Sequence, residues 1–183
     1  MQDIEHELAR LNQEIVTCTK CVLSCTRNNA VPGEGPISPQ IMCIGEAPGE
    51  KEDQQGRPFT GRAGDILDDL LARAGLDRSR VFITSVVKCR PPKNRDPRPE
   101  EIEACKPYLD RQLELLKPQL IATLGRFAMA RWFPRQKISE IHGQVQEIGR
   151  IRVVPLFHPG AALHQPGYRE AMAKDMEVLA GLL

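Results

Sequence analysis

Cys18 and Cys21 form a C-x2-C pair, and Cys89 and Cys105 stand with fifteen residues between them on either side of a proline-rich stretch. Thiolates serve zinc and iron–sulfur clusters alike. Two pairs that can each converge therefore describe a four-coordinate metal site, and spacing alone leaves zinc and iron–sulfur equally open. Cys25, four residues after Cys21, competes as a ligand, whereas Cys43 lies inside the apolar run "QIMCIG" and reads as an inert core thiol. Either metal would tie the N-terminal segment to the middle of the chain, which is a structural role.

A second concentration of chemistry runs from Gly45 to Gly64, "GEAPGEKEDQQGRPFTGRAG". Glu46, Glu50, Glu52 and Asp53 make it too acidic for a phosphate cradle, and it is too long for an ordinary turn. Its glycines and prolines suit a backbone that must approach a ligand closely. Phe59 sits in this polar loop, where an exposed aromatic wants a cover and a flat ligand such as a nucleobase could supply one. Arg57 and Arg62 flank it and could meet phosphates. The third candidate is His158 in "LFHPGAAL", at the end of an apolar strand, while His6, His142 and His164 have no comparable placing.

The elements that must position these groups are legible in the hydrophobic pattern. Ile4, Leu8, Leu11 and Ile15 recur at helical spacing and predict an amphipathic helix ending near Thr17. "QIMCIG", "VFITSVVKC", "QLIATLG" and "IRVVPLFH" predict four buried strands. Between them, "AGDILDDLLARAG" predicts a helix closed by Gly75, and Pro99 with Glu100 and Glu101 starts another that runs towards Lys117. A short helix follows the third strand, through Trp132, and a last one begins near Gly167. Alternating strands and helices predict a three-layer α/β/α domain, residues 1–183, with a central, mainly parallel four-stranded sheet. Ligands of such sheets bind beyond the carboxyl ends of the strands. The loops Gly45–Gly64, Cys89–Arg98 and His158–Gly167 should therefore converge on one crevice.

With 183 residues, 41% of them hydrophobic, the chain can build a sizeable core, and a formal charge of +1 excludes a strong overall field. Local charge matters more: Lys88, Arg90, Lys93, Arg95 and Arg98 crowd the segment between the second strand and the following helix. No signal peptide or long apolar run is evident, so a soluble protein of the reducing cytoplasm is expected, with no membrane partner. In that compartment six cysteines point to metal or chemistry before disulfides.

Taken together, the C-x2-C pair, "GEAPGEKED", "GRPFTGRAG", "VVKCRPPKNR", the spacing to Cys105 and "HPGAAL" resemble the family 4 uracil-DNA glycosylases from about Cys18 to the final helix. The resemblance implies a monomeric, monofunctional glycosylase that hydrolyses uracil from DNA in base-excision repair, leaving an abasic site. It also implies a [4Fe-4S] cluster on Cys18, Cys21, Cys89 and Cys105. It places Phe59 on the uracil face, Glu52 against the pyrimidine C5 edge, where a thymine methyl would clash, and His158 beside O2, where charge gathers as the bond breaks. Glu46 would favour the positive sugar and help place water. Ala47 occupies the position that is aspartate in family 1, so the group that activates water is not fixed by the motif. Arg62 would meet the DNA.

Two positions depart from the family pattern. The second strand usually reads "ITNVVKC", with asparagine reading the base, but here Ser85 takes that place. One hydroxyl replaces a paired donor and acceptor, so weaker base binding and looser discrimination are expected. The final motif, commonly "HPSYLLRN", reads "HPGAALHQ". Leu163 is then the bulky residue able to fill the gap left by a flipped base. The segment "CRPPKNRDPRPEE" lacks the histidine and insertion of the branch that bonds covalently to the sugar. Three alternatives stay open: hypoxanthine or xanthine as the base, because of Ser85; a non-catalytic DNA-binding or redox-sensing cluster protein; and a zinc-stabilised domain with an unrelated small-molecule site.

Overall fold

A computed structural model describes residues 2–183. Five strands form one sheet in the order β2-β1-β3-β5-β4: β1 (Ile41–Gly45), β2 (Val81–Ser85), β3 (Leu120–Leu124), β4 (Gln146–Ile148) and β5 (Ile151–Leu156). β1, β2, β3 and β5 are parallel. β1, β2 and β3 are buried along their whole length, as strands covered on both faces must be, which is why they read as unbroken apolar runs.

Side chains alternate across the sheet. Ile41 and Cys43 of β1 face α3 (Arg62–Arg73) and α7 (Pro166–Ala180), whereas Met42 and Ile44 face α1 (Gln2–Val16) and α4 (Pro99–Leu116). This makes the three layers. Short helices α2 (Glu50–Gln55), α5 (Arg126–Ala130) and α6 (Ile138–Ile141) lie in the connections. Gly75 has φ of 69° just past α3, and Pro99 opens α4, both as the sequence predicts.

The sheet has five strands where the sequence predicts four. β4 is three residues long, half-exposed and antiparallel to β5 across a tight turn containing Gly149, φ 61°. So short and polar an edge strand leaves no apolar run to read. The β2 ladder also stops at Ser85 rather than Cys89. Beyond it, the Val86 and Val87 amides donate to the carbonyls of Gly45 and Glu46 as the chain bends.

Candidate active site and cysteine centre

The three long loops do converge. A crevice of about 580 Å³ opens beyond the carboxyl ends of β1, β2 and β5, lined by Glu46–Gly49, Glu52, Phe59, Ser85, Asn94–Pro97, His158, Leu163 and His164. That volume suits a ligand of nucleotide size. His164, which the sequence sets apart from the site, is exposed at its rim.

Phe59 is only 7% exposed, so the loop seats its ring instead of presenting it to solvent. Its backbone is left-handed, φ 51°, a conformation that costs a non-glycine residue of order 1 kcal/mol and must be held by its surroundings. Two glycines make room. A Cβ on Gly45 would lie 2.8 Å from the Phe59 ring, and a side chain on Gly64 would overlap the Phe59 carbonyl. Glu52 Oε1 accepts from the amides of Thr60 (3.1 Å) and Gly61 (3.0 Å), closing the loop around the ring. The Glu52 carboxylate thus has a positioning contact that the sequence did not reveal.

His158 stands across from Phe59, with ring centroids 5.7 Å apart. The Gly160 amide donates to its Nδ1 at 3.0 Å, which leaves the proton of the neutral ring on Nε2. Burial holds its pKa down to about 4, against a smaller opposing pull from Glu52. The ring is therefore a neutral N–H donor at physiological pH.

Glu46 is half-buried at the end of β1, and burial raises its carboxyl above the ordinary range. The backbone amides of Phe127 and Arg126 at the start of α5 oppose that rise. Ser85, 5% exposed, pairs with Gly45 in the β1–β2 register, and its carbonyl accepts from Lys88 Nζ at 2.8 Å. Ala47 lines the crevice and brings no polar side chain, and Pro48 carries no amide hydrogen, so Ala47 and Gly49 are the turn's remaining backbone donors.

Leu163 ends the turn Pro159–Leu163 at the crevice mouth, half-buried against the α3–α7 side of the core. Arg62 is exposed at the start of α3, outside the crevice wall. The basic cluster divides. Lys88 is 1% exposed, its Nζ donating to Thr84 Oγ1, Gln112 Oε1 (2.7 Å) and Ser85 O, and burial lowers its pKa to about 7. It is no surface cation, contrary to its place in the sequence cluster, because the bend after β2 turns it inward. Arg95 is committed to the buried Glu101, and Arg57 to Glu34. Among the described residues Arg62, Lys93 and Arg98 are exposed without an ion pair.

On the other side of the sheet, Cys18, Cys21, Cys89 and Cys105 line one small cavity walled by Ile15, Ala104 and Tyr108. No disulfide joins any of the four. Cys25 is exposed and absent from this wall, and Cys43 is buried in the core with its thiol pushed up to about 12. Donors converge on three of the four sulfurs: Arg27 Nη1 on Cys89 (2.9 Å), the Lys88 amide on Cys105 (3.2 Å) and the Lys20 amide on Cys18 (3.4 Å). Among the described residues no three His, Cys, Asp or Glu side chains are grouped tightly enough for a single metal ion. Four sulfurs around an apolar cavity, with N–H groups aimed at them, fit an iron–sulfur centre held by thiolates.

The fold and the crevice define an α/β domain with a base-sized site at the strand ends and a cysteine centre behind it. The family model of the uracil DNA glycosylase superfamily matches residues 32–179. The chain is similar to the type-4 uracil-DNA glycosylase of Archaeoglobus fulgidus, 45% identical over 179 residues, covering 93% of this chain and 90% of that one. It is also similar to the type-4 enzymes of Sulfurisphaera tokodaii (44%, 96% and 84%) and Thermotoga maritima (40%, 91% and 90%). The chain belongs to the uracil-DNA glycosylase superfamily and, within it, to the type-4 family.

Proposed function

We propose that this protein excises uracil from DNA by hydrolysis of the N-glycosidic bond, acting as a monomer with a flipped nucleotide in the Phe59–His158 crevice. The observation that carries the reading is the placing of a buried aromatic ring and a neutral imidazole Nε2–H donor side by side in the wall of one base-sized crevice, their ring centroids 5.7 Å apart. Extrusion of a base from a duplex costs a few kcal/mol, less at a G·U mismatch or in a single strand. The base stacks on Phe59, and Glu52, fixed by the loop amides, crowds its C5 edge against a thymine methyl. His158 donates to O2 as the uracil acquires negative charge, a contact stronger in the transition state than in the ground state. Glu46 faces the sugar side, where an oxocarbenium-like centre gains positive charge and a carboxylate favours it and the attacking water. Arg62, with Lys93 and Arg98, supplies contacts to the phosphates.

Cys18, Cys21, Cys89 and Cys105 would hold a [4Fe-4S] cluster, which when bound cross-links the end of α1 to the β2–α4 region. The N–H groups around their sulfurs would suit thiolates on either metal, and the likeness to the type-4 family is what favours the cluster over zinc. Among the described residues no helix is long and apolar enough to cross a membrane, and a cluster held by thiolates suits the reducing cytoplasm.

The test is cleavage of a labelled oligonucleotide carrying one deoxyuridine opposite G, opposite A and unpaired. The strand should stay whole until alkali is added and then break at the uracil. A strand that survives alkali at every deoxyuridine would overturn the reading.

Two variants probe the departures from the family pattern. Ser85→Asn should raise discrimination of uracil over cytosine by about tenfold, the worth of one paired hydrogen-bond contact to a base edge. Equal discrimination in both proteins, measured as a ratio of kcat/KM values, would show that position 85 does not read the base. Leu163→Ala should slow excision from duplex more than from single strand, since only the duplex leaves a gap to fill. An equal loss on the two substrates would remove the wedge role.

A further inference from the structure

Resting on the reading above, we infer that Arg78 is a positioning residue for base capture: its guanidinium fixes the left-handed backbone of Phe59 and thereby the stacking ring. Arg78 lies in the short turn Arg78–Arg80 before β2, outside the crevice wall. Nη1 donates to the carbonyl of Pro58 at 3.1 Å, and Nη2 donates to the carbonyl of Phe59. The fork is itself oriented by carboxylates. Nε meets Asp68 Oδ1 of α3 at 2.7 Å, and Nη1 meets Glu34 Oε1 at 3.3 Å. Glu34 in turn holds Arg57 through two contacts and is bridged through its backbone to Ile83 of β2. One planar cation thus reaches two consecutive carbonyls of the loop and two carboxylates on separate elements, a geometry that only guanidinium offers.

The need for such a clamp follows from Phe59. Four non-glycine residues among those described have positive φ, and Phe59 is the one whose ring forms a wall of the crevice. Gly45 and Gly64 permit the conformation by leaving space but do not select it. Arg78 holds the carbonyls on both sides of the strained unit, so the ring is in place before the base arrives.

A double-mutant cycle tests this through single-turnover uracil release from single-stranded DNA, with Arg78→Ala, Arg78→Lys and Phe59→Ala alone and combined. Arg78→Ala should slow release roughly tenfold in the Phe59 background and less than about twofold in the F59A background, as expected of residues acting as a unit. Arg78→Lys should recover little, because an ammonium cannot span the two carbonyls. Where Arg78→Ala fails to fold by circular dichroism, Asp68→Asn loosens the same guanidinium from the solvent side, and its smaller loss should likewise vanish with F59A. An equal loss in both backgrounds would make Arg78 a general stabiliser and overturn the inference.

A readout independent of turnover is the fluorine spectrum of the protein carrying 4-fluorophenylalanine, with the Phe59 line assigned by its loss in Phe59→Leu. Arg78→Ala should broaden or shift that line while the other four stay put. A shift in a protein that releases no uracil would sustain the clamp and sink the functional reading. An unmoved line would overturn the clamp whatever the activity.

Discussion

Replacing His158 with alanine is expected to lower kcat by roughly 10²- to 10³-fold, the loss typical of a donor aimed at developing negative charge. KM should change little, because the uncleaved base carries little charge at O2 for the imidazole to meet. The protonation state sharpens the expectation. His158 is neutral because burial disfavours its charge, and because Nδ1 must accept from the Gly160 amide, which a protonated ring could not do. Activity should therefore show no inflection near pH 6.5, where an ordinary histidine titrates, and should fall with protonation of this group only towards pH 4. The stability consequence has a definite sign. Between the ordinary value of 6.5 and about 4 the unfolded chain binds a proton that folded His158 does not. His158 thus contributes stability fully present above pH 6.5 and lost as pH falls across that window. Asparagine at 158 keeps a donor that does not titrate, and should recover part of the rate and flatten the acid limb. A pH profile of single-turnover rates for wild type, His158→Ala and His158→Asn checks the rate loss, the missing inflection and the partial recovery. A rate that falls as pH rises through about 6.5, and no longer does so in His158→Asn, would show a cationic imidazole instead.

Removing one cysteine of the centre should have the largest effect on the fold itself. Linking Cys21 to Cys89 closes a loop of roughly 70 residues, for which chain-entropy reasoning gives ~4 kcal/mol. For a domain of this length each kcal/mol moves Tm by about 2–4 °C, so Cys105→Ala should melt roughly 10 °C lower. The loss should begin at the N-terminus. α1 packs on α4 through Leu8, Leu11 and Ile15, and the segment carrying Cys18 and Cys21 follows directly. Iron and acid-labile sulfide, close to four of each per chain in the wild type, should both fall in Cys105→Ala and remain in Cys25→Ser. Full iron and an unchanged Tm in Cys105→Ala would exclude this ligand set, and stoichiometric zinc in the wild type would replace the cluster.

What the sequence made legible follows from range. Cys18 and Cys21 were readable as a pair because C-x2-C spacing is a local signature, while the full set of four came from the family resemblance. His158 was readable because a strand end in a parallel sheet fixes where a side chain must go. The convergence of the three loops followed from the same topology. The contacts that decide how the site is held were not readable. Phe59 looked exposed because its neighbours are polar, yet Gly45 and Gly64 make a seat for its ring. Lys88 counts with the basic cluster in the sequence, but the bend after Ser85 carries it among Thr84 and Gln112. Arg95, from the same basic cluster, is likewise taken up as the partner of buried Glu101. Arg78 gave no signal at all, since its four partners come from Glu34, Pro58, Phe59 and Asp68. Pairings across the chain are set by tertiary packing, and a linear pattern does not carry them.

The most direct test of the central claim is to identify the base set free. Oligonucleotides with uracil, cytosine, thymine, hypoxanthine or xanthine at one site would be incubated with the purified protein. The released base would then be quantified by mass spectrometry alongside the abasic strand. The account predicts uracil released first and fastest, one per abasic site, with thymine untouched. Release of hypoxanthine or xanthine ahead of uracil would mean that Ser85 has redirected the crevice, and release of no base at all would contradict the glycosylase reading.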